Sequence, residues 1–249
     1  MIEPYTDKSS SSGSLLVNAS TLSSLTLDWA KEGYQVNIHA IGDLANRLAI
    51  DAFEAALGVL CPNGNAHKCR DKHRFRIEHA QIIHSDDQKR MTDLGIIPSI
   101  QPTHATSDMG YAESRLGVER TRSEAYRMRS LLPLGPVLGS DFPVEPANIF
   151  EGIYAAMTRC SPRTGLDPSG GKNGWYPEET ISLEESLKGF TVNPAYGAFL
   201  EGKAGVIGVG AYADWVVLDE PLESMDIEAL RMVTVRETWV GGKCVYRRP

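Results

Sequence analysis

The sequence predicts an α/β fold followed by a small β region, on three observations. Between residues 34 and 160, the short apolar runs YQVNIHA, RFRIEHA, IIPSIQ and PVLGSD alternate with stretches of helical periodicity. Strand-then-helix units in succession imply parallel strands joined by right-handed crossovers. From Gly202 on, the texture changes to DWVVLD, MVTVRETWV and KCVYR, β-branched and aromatic runs separated by Gly, Pro or acidic clusters, which read as strands. No internal repeat is visible in the sequence, which argues against a solenoid.

Each element has a local reason. Leu22 to Glu32 carries apolar residues at helical spacing and stops at Gly33. Asp43 caps a helix to about Leu57, with Leu44, Leu48, Ala52 and Ala55 on one face. CPNGNAHKCRDKH reads as a polar loop, and Ser85 with Gln88 as a capping box for a helix ending at Gly95. Helical stretches follow around Ala112 to Leu132 and Ala147 to Thr158. Residues 161–180 form a Gly- and Pro-rich loop of the kind that covers sites. Ser182 with Glu185 caps one more helix, and Asn193-Pro194 starts another.

A length of 249 residues leaves one or two domains open. With 42% hydrophobic and 23% charged residues the composition is that of an ordinary globular protein. A formal charge of -7 without a basic block argues against nucleic acid, which needs a basic face. No apolar segment reaches the roughly 18 to 20 residues of a membrane span, and MIEPYTDKSSSSGS has neither the basic nor the apolar part of a signal peptide. The expected location is cytoplasmic. Cys61, Cys69, Cys160 and Cys244 are too few and scattered for a disulfide framework, which fits a reducing compartment.

The chemistry gathers at strand ends. Three of the four strands finish on a good ligand: His39 in NIHAIGD, His79 in IEHAQ and Asp141 in GSDFPV. The remaining one ends at Gln101, with His104 three residues on. Carboxyl ends of parallel strands line one rim, so these residues converge despite their separation in sequence. Taken singly, His39 and His79 also read as core histidines, and Asp141 as a turn or cap residue. Their joint recurrence favours a site. Imidazole with carboxylate suits Zn²⁺ and similar divalent ions, whose bound water becomes a nucleophile near neutral pH.

Competing motifs are weaker. Cys61, His67, Cys69 and His73 are spaced C-x5-H-x-C-x3-H, unlike ordinary zinc motifs, and a surface loop is the better reading. GVIGVG, Gly205 to Gly210, lacks the order and the strand-to-helix setting of a dinucleotide fingerprint. Ser140 has no G-x-S-x-G elbow.

Several stretches together, HAIGD, RIEHAQ, IPSIQPTHATSDM, the RLGVER region, GSDFPVEPANIFEGIYAAMTR, GAYADWVVLD and VTVRETWVGGKCVY, resemble amidohydrolase family 3, the YtcJ-like branch of the metal-dependent amidohydrolases. The resemblance implies a partial (β/α)8 TIM-like barrel, strands five to eight over residues 34–160, with a small C-terminal β-sandwich portion. It divides the chain into 1–201, partial barrel, and 202–249, sandwich segment. His39 and His79 would be metal ligands of strands five and six. Asp141 would bind metal and act as general base, and His104 would bind substrate or stabilise an oxyanion. Asp43 and Asp108 could orient neighbouring groups, although helix capping suits Asp43 equally. The implied reaction is hydrolysis of a non-peptide carbon–nitrogen bond in a small amide-type molecule.

The family pattern also asks for His-x-His on the first strand and a carboxylate ligand on the fourth, and this sequence contains no His-x-His. EPYTDKSSSSGSLLV resembles the segment after strand four in relatives, so the sequence is expected to begin near the second half of the barrel. Half a barrel leaves open edges. The expected consequences are an incomplete metal site, impaired activity, and self-association or a complementing chain at those edges. The alternative is a non-catalytic fragment or pseudoenzyme with an interaction or structural role.

Overall fold

The computed structural model of the protein describes residues 1–62 and 66–249. In chain order the first elements are α1 (Ala19–Lys31), β1 (Asn37–Ala40), α2 (Asp43–Leu60), α3 (Ala66–His73), β2 (Arg76–His79), α4 (Ser85–Leu94) and β3 (Ile97–Ile100). Then come α5 (Pro102–Asp108), α6 (Ala112–Leu116), α7 (Val118–Glu124), β4 (Val137–Leu138) and α8 (Ile149–Thr158). The chain closes with α9 (Leu183–Phe190), α10 (Val192–Gly197), β5 (Trp215–Val217), α11 (Ile227–Leu230), β6 (Glu237–Val240) and β7 (Lys243–Arg247). It divides into two compact units: residues 1–100 with 108–136, and residues 101–107 with 137–249.

In the first unit β1, β2 and β3 are parallel, with Ala40 opposite His79 and Arg76 opposite Ile97. All four residues of β3 are buried, as expected of a parallel strand covered on both faces. On α2, Ala49, Ile50, Phe53 and Ala56 are buried at helical spacing, and the Phe53 ring stacks on Phe75 with centroids 4.6 Å apart. This apolar face fixes α2 along the strands.

Several expectations about this unit are corrected. Asn18 caps α1 by accepting from the Thr21 N–H at 2.9 Å, so the helix begins earlier than its apolar stripe. The N-cap of α4 is His84, whose ring nitrogen accepts from the Asp86 N–H. Ser85 is therefore inside the helix, and Gln88 instead donates to the Ile83 carbonyl. The helical stretches anticipated around 112–132 are α6 and α7, which end at Glu124 and are divided at Gly117, whose φ of 81° belongs to the left-handed half of the map. The presumed polar loop after α2 contains α3.

Cys61 and Cys69, expected to be free, form a disulfide with their Cα atoms 6.2 Å apart. Their thiols are therefore not zinc donors, and the rival zinc cluster loses half its ligands. The side chain of His67, a third member, lies outside the described residues. His73, the fourth, is buried, and its pKa is lowered by burial and then by Lys72.

Glu124 ends α7, and its carbonyl accepts from the Ile83 N–H at 2.9 Å, tying that helix to the segment after β2. Its Oε2 is buried with no hydrogen-bond partner among the described residues. Burial raises its pKa, as do Asp43 and Glu3 to a smaller extent, against His84 and Arg120. The folded pKa thus lies above the unfolded one, so the native state holds a proton that the unfolded chain releases. Stability from this group is full below the ordinary glutamate pKa and is lost as pH rises through the raised value. Glu124→Gln should therefore raise the melting temperature at pH 8 by an amount worth up to about 1 kcal/mol after solvent screening, and change nothing at pH 4. Thermal melts at the two pH values check this.

In the second unit, Tyr154 and Cys160 pack with Leu230 of α11. Ser182 and Glu185 form the expected reciprocal capping box of α9. A Cβ at Gly189 would meet the Leu138 side chain at 2.5 Å, so the glycine is what lets α9 approach β4. The loop after α8 is organised by Asp167, whose carboxylate accepts from the N–H groups of Ser169, Gly171 and Asn173. These donors, led by the Ser169 hydroxyl, hold its pKa below the usual value. The three C-terminal strands form an antiparallel sheet in the order β5-β6-β7, with Trp215 stacked on Trp239 across the first pair. Among the described residues, no helix is long and apolar enough to cross a membrane.

Candidate active site

His39 lies on β1 and is exposed, while its neighbours Ile38 and Ala40 face inward. His79 closes β2 and is 8% exposed. On the parallel strands β1 and β2, His39 lies opposite Glu78 and Ala40 opposite His79, and the two imidazoles meet edge to face with centroids 4.4 Å apart. Register alone would turn His39 and His79 to opposite faces, and their meeting goes with the left-handed backbone at His79.

The backbone at the end of β2 is unusual. His79 and Ala80 have φ of 75° and 42°, both in the left-handed region. Residues with a Cβ rarely adopt it, and such outliers cluster where structure is held for function. Asp141 shares this feature, with φ of 57°.

Asn46 holds the loops that follow both histidines. Its side chain is fully buried, and its amide nitrogen donates to the carbonyls of Ala40 at 3.3 Å, Ile41 at 3.1 Å, Gly42 at 3.0 Å and Ile82 at 3.0 Å. None of the sequence motifs includes it. The available signal was a lone polar residue four and seven positions before Ile50 and Phe53, on the apolar stripe of α2.

Asp43 is 2% exposed, and one carboxylate oxygen accepts from the Leu44 N–H at 2.7 Å and the Ile2 N–H at 2.8 Å. The N-cap of α2 is nevertheless Gly42, with no side-chain cap, so Asp43 is the first helical residue and not the expected cap. Asp108 accepts from the Tyr126 hydroxyl at 2.5 Å, from the Tyr111 hydroxyl, and from the Gln81 amide at 3.4 Å. It therefore orients Gln81, two residues past His79.

In the second unit, His104 and Asp141 come together. Pro102 opens α5 directly after β3, so His104 sits on a helix. It is 9% exposed, and its Nε2 is 3.9 Å from Asp141 Oδ2. That is too long for a hydrogen bond, and close enough for a protonated imidazole to feel the carboxylate. Asp141 itself keeps 39% of its side-chain surface exposed. The buried Glu145, four residues on, accepts from the Ser107 hydroxyl at 2.5 Å. No sequence pattern had pointed to that pair.

In the first unit two histidines meet at the ends of parallel strands, and in the second an imidazole lies beside an accessible carboxylate. The profile of the amidohydrolase family matches residues 3–246, and the chain belongs to that family. It is 36% identical over 251 residues to Protein LONG AFTER FAR-RED 3 of Arabidopsis thaliana, covering 98% of this chain and 40% of that protein. Identity is 28% to YtcJ of Bacillus subtilis (strain 168), which carries an amidohydrolase name, with 99% and 44% covered. It is 27% to the N-substituted formamide deformylase of Arthrobacter pascens, with 95% and 41% covered. Among solved structures, an uncharacterized metal-dependent hydrolase from Pyrococcus furiosus superposes with a TM-score of 0.68 at 30% identity, over 85% of this chain and 39% of that one. The chain spans about two-fifths of the length of the curated relatives it matches.

Proposed function

We propose that the chain carries strands five to eight of an amidohydrolase barrel over residues 1–201, with 202–249 contributing to a small sandwich. On this reading its function is metal-dependent hydrolysis of a non-peptide carbon–nitrogen bond. His39, His79 and Asp141 are the metal ligands, and Asp141 and His104 act on the substrate. The observation that carries the reading is the contact of the His39 and His79 rings, 4.4 Å between centroids at adjacent strand ends. The donor set fits a borderline-soft divalent ion, Zn²⁺ first, since two imidazoles and a carboxylate are common ligands for it.

When bound, the metal supplies Lewis acidity and lowers the pKa of water. The protein's own residues do the rest. Asp141, accessible to solvent, takes a proton from the attacking water. His104 donates to the carbonyl oxygen as negative charge gathers there. The water oxygen bonds to the carbonyl carbon, the C–N bond breaks, and the nitrogen leaves with the proton that Asp141 held. The products are an acid and an amine, with the N-substituted formamide deformylase of Arthrobacter pascens, by its name, a relative for an amide of this kind.

The test is zinc stoichiometry of the purified 249-residue chain, followed by assays on N-substituted formamides and simple amides. One zinc per chain is expected, lost in a His39→Ala, His79→Ala double variant whose circular dichroism is unchanged. A chain that holds no zinc at micromolar free metal overturns the ligand assignment. Stoichiometric zinc without turnover favours the second reading, a non-catalytic interaction protein completed by a partner chain or another copy.

A further inference from the structure

Within the first unit, a cavity of about 420 Å³ lies between the N-terminal segment and residues 108–126, and it reaches Gln81 just past the end of β2. It falls within the range typical of small-molecule sites. Its hydrogen-bonding capacity is one-sided. Asp108 is occupied by three donors, from Tyr111, Tyr126 and Gln81. Burial and this carboxylate push the Tyr111 pKa up to about 12 and raise that of Tyr126 further, so both phenols stay protonated and keep Asp108 saturated. The other lining carboxylate, Asp7, is paired with Arg115 at 2.5 Å.

The donors are less committed. Among the described residues, the Lys8 ammonium and the Tyr5 hydroxyl have no side-chain hydrogen bond or ion pair. The Ser11 oxygen accepts from the Gly13 N–H at 3.2 Å and keeps its own proton free. All three residues line the cavity. Both lining carboxylates thus have partners within the protein, whereas a cation and two hydroxyl protons wait for an acceptor from outside. Tyrosine rings, Ile82 and Leu116 supply apolar wall between them.

We propose that this cavity binds a small organic anion, its carboxylate on Lys8 and the Tyr5 and Ser11 hydroxyls and its flat apolar body against the tyrosine rings. A charge-assisted contact of this kind is the strong sort of hydrogen bond. Gln81, two residues after His79, joins the cavity to the strand end that bears the candidate ligand. If the hydrolytic reading holds, on which this one clause rests, the anion is the remote end of the substrate.

The probe is benzoate, with benzamide as its uncharged look-alike and inorganic phosphate as the competing anion. Isothermal titration is run on the whole 249-residue chain with EDTA present. Benzoate should bind at least about fivefold more tightly than benzamide. Lys8→Met, at an exposed position, should weaken benzoate about tenfold without changing benzamide, and Lys8→Arg should stay within about threefold of the parent. Equal binding of benzoate and benzamide, or indifference to Lys8→Met, overturns the proposal. So does phosphate binding more tightly than benzoate through Lys8. Because no metal is present, loss of the hydrolytic reading leaves this outcome untouched, and failure here leaves the zinc test untouched.

Discussion

Arg159→Leu is expected to destabilise the protein by about 3–5 kcal/mol, the range for a large buried side chain that also satisfies buried polar groups. Arg159 is fully buried and is the largest such side chain among the described residues. Its Nε donates to the Trp175 carbonyl at 2.6 Å, and the guanidinium carbon lies 5.0 Å from the Trp175 ring centroid. The Trp175 N–H in turn donates to the Arg159 carbonyl at 3.0 Å. These contacts fasten the return of the loop that leaves α8, next to Gly174, where a Cβ would meet the Thr158 carbonyl at 2.3 Å. Leucine would leave a cavity and an unanswered carbonyl. Lysine should fail to rescue, since it lacks the planar group that stacks on Trp175. Urea unfolding measures the loss, and a cost below about 1 kcal/mol would mean the loop is held elsewhere.

The second large effect is expected at Asn46. Asn46→Ala should cost about 2–4 kcal/mol, because it removes the donor shared among four carbonyls. Asn46→Asp separates hydrogen bonding from packing. Aspartate keeps the shape, carries no donor, and aims a carboxylate at those carbonyls, so it should cost at least as much as alanine. If aspartate were tolerated and alanine not, volume would be the reason and the hydrogen bonds incidental. Denaturant titration of both variants distinguishes the two.

Much of the architecture was legible because it rests on short-range rules. The strands around His39, His79 and Ile97–Ile100 follow from apolar runs of strand length, and the Ser182–Glu185 box from two residues at fixed spacing. That His39 and His79 lie on neighbouring parallel strands was legible, whereas the contact of their rings goes with the left-handed backbone at His79. The features that escaped depend on contacts between distant segments. Gly117 breaks a helix because the chain needs φ of 81° there, and a Cβ would lie 3.2 Å from the Thr6 hydroxyl. The Cys61–Cys69 disulfide exists because α2 ends and α3 begins where the two Cα atoms face each other. Spacing within the sequence does not encode that geometry. His84 displaced Ser85 as a cap because the helix starts one residue earlier than the serine rule places it.

The left-handed residues at the end of β2 also act as a register lock. A parallel strand that slipped by one position would bring Glu78 to the rim in place of His79 and turn every side chain of β2 over. It would also drag the preceding residues toward the bend. A slip of two positions would put Ile77 in the left-handed region, a severe outlier because a β-branched side chain collides with its own backbone there. A one-residue slip is disfavoured by the reversal of faces and a two-residue slip by Ile77, which leaves the bend at His79 and Ala80. A short strand of four residues, which hydrogen bonds alone would align loosely, is held in its one useful alignment by the residues at which it stops.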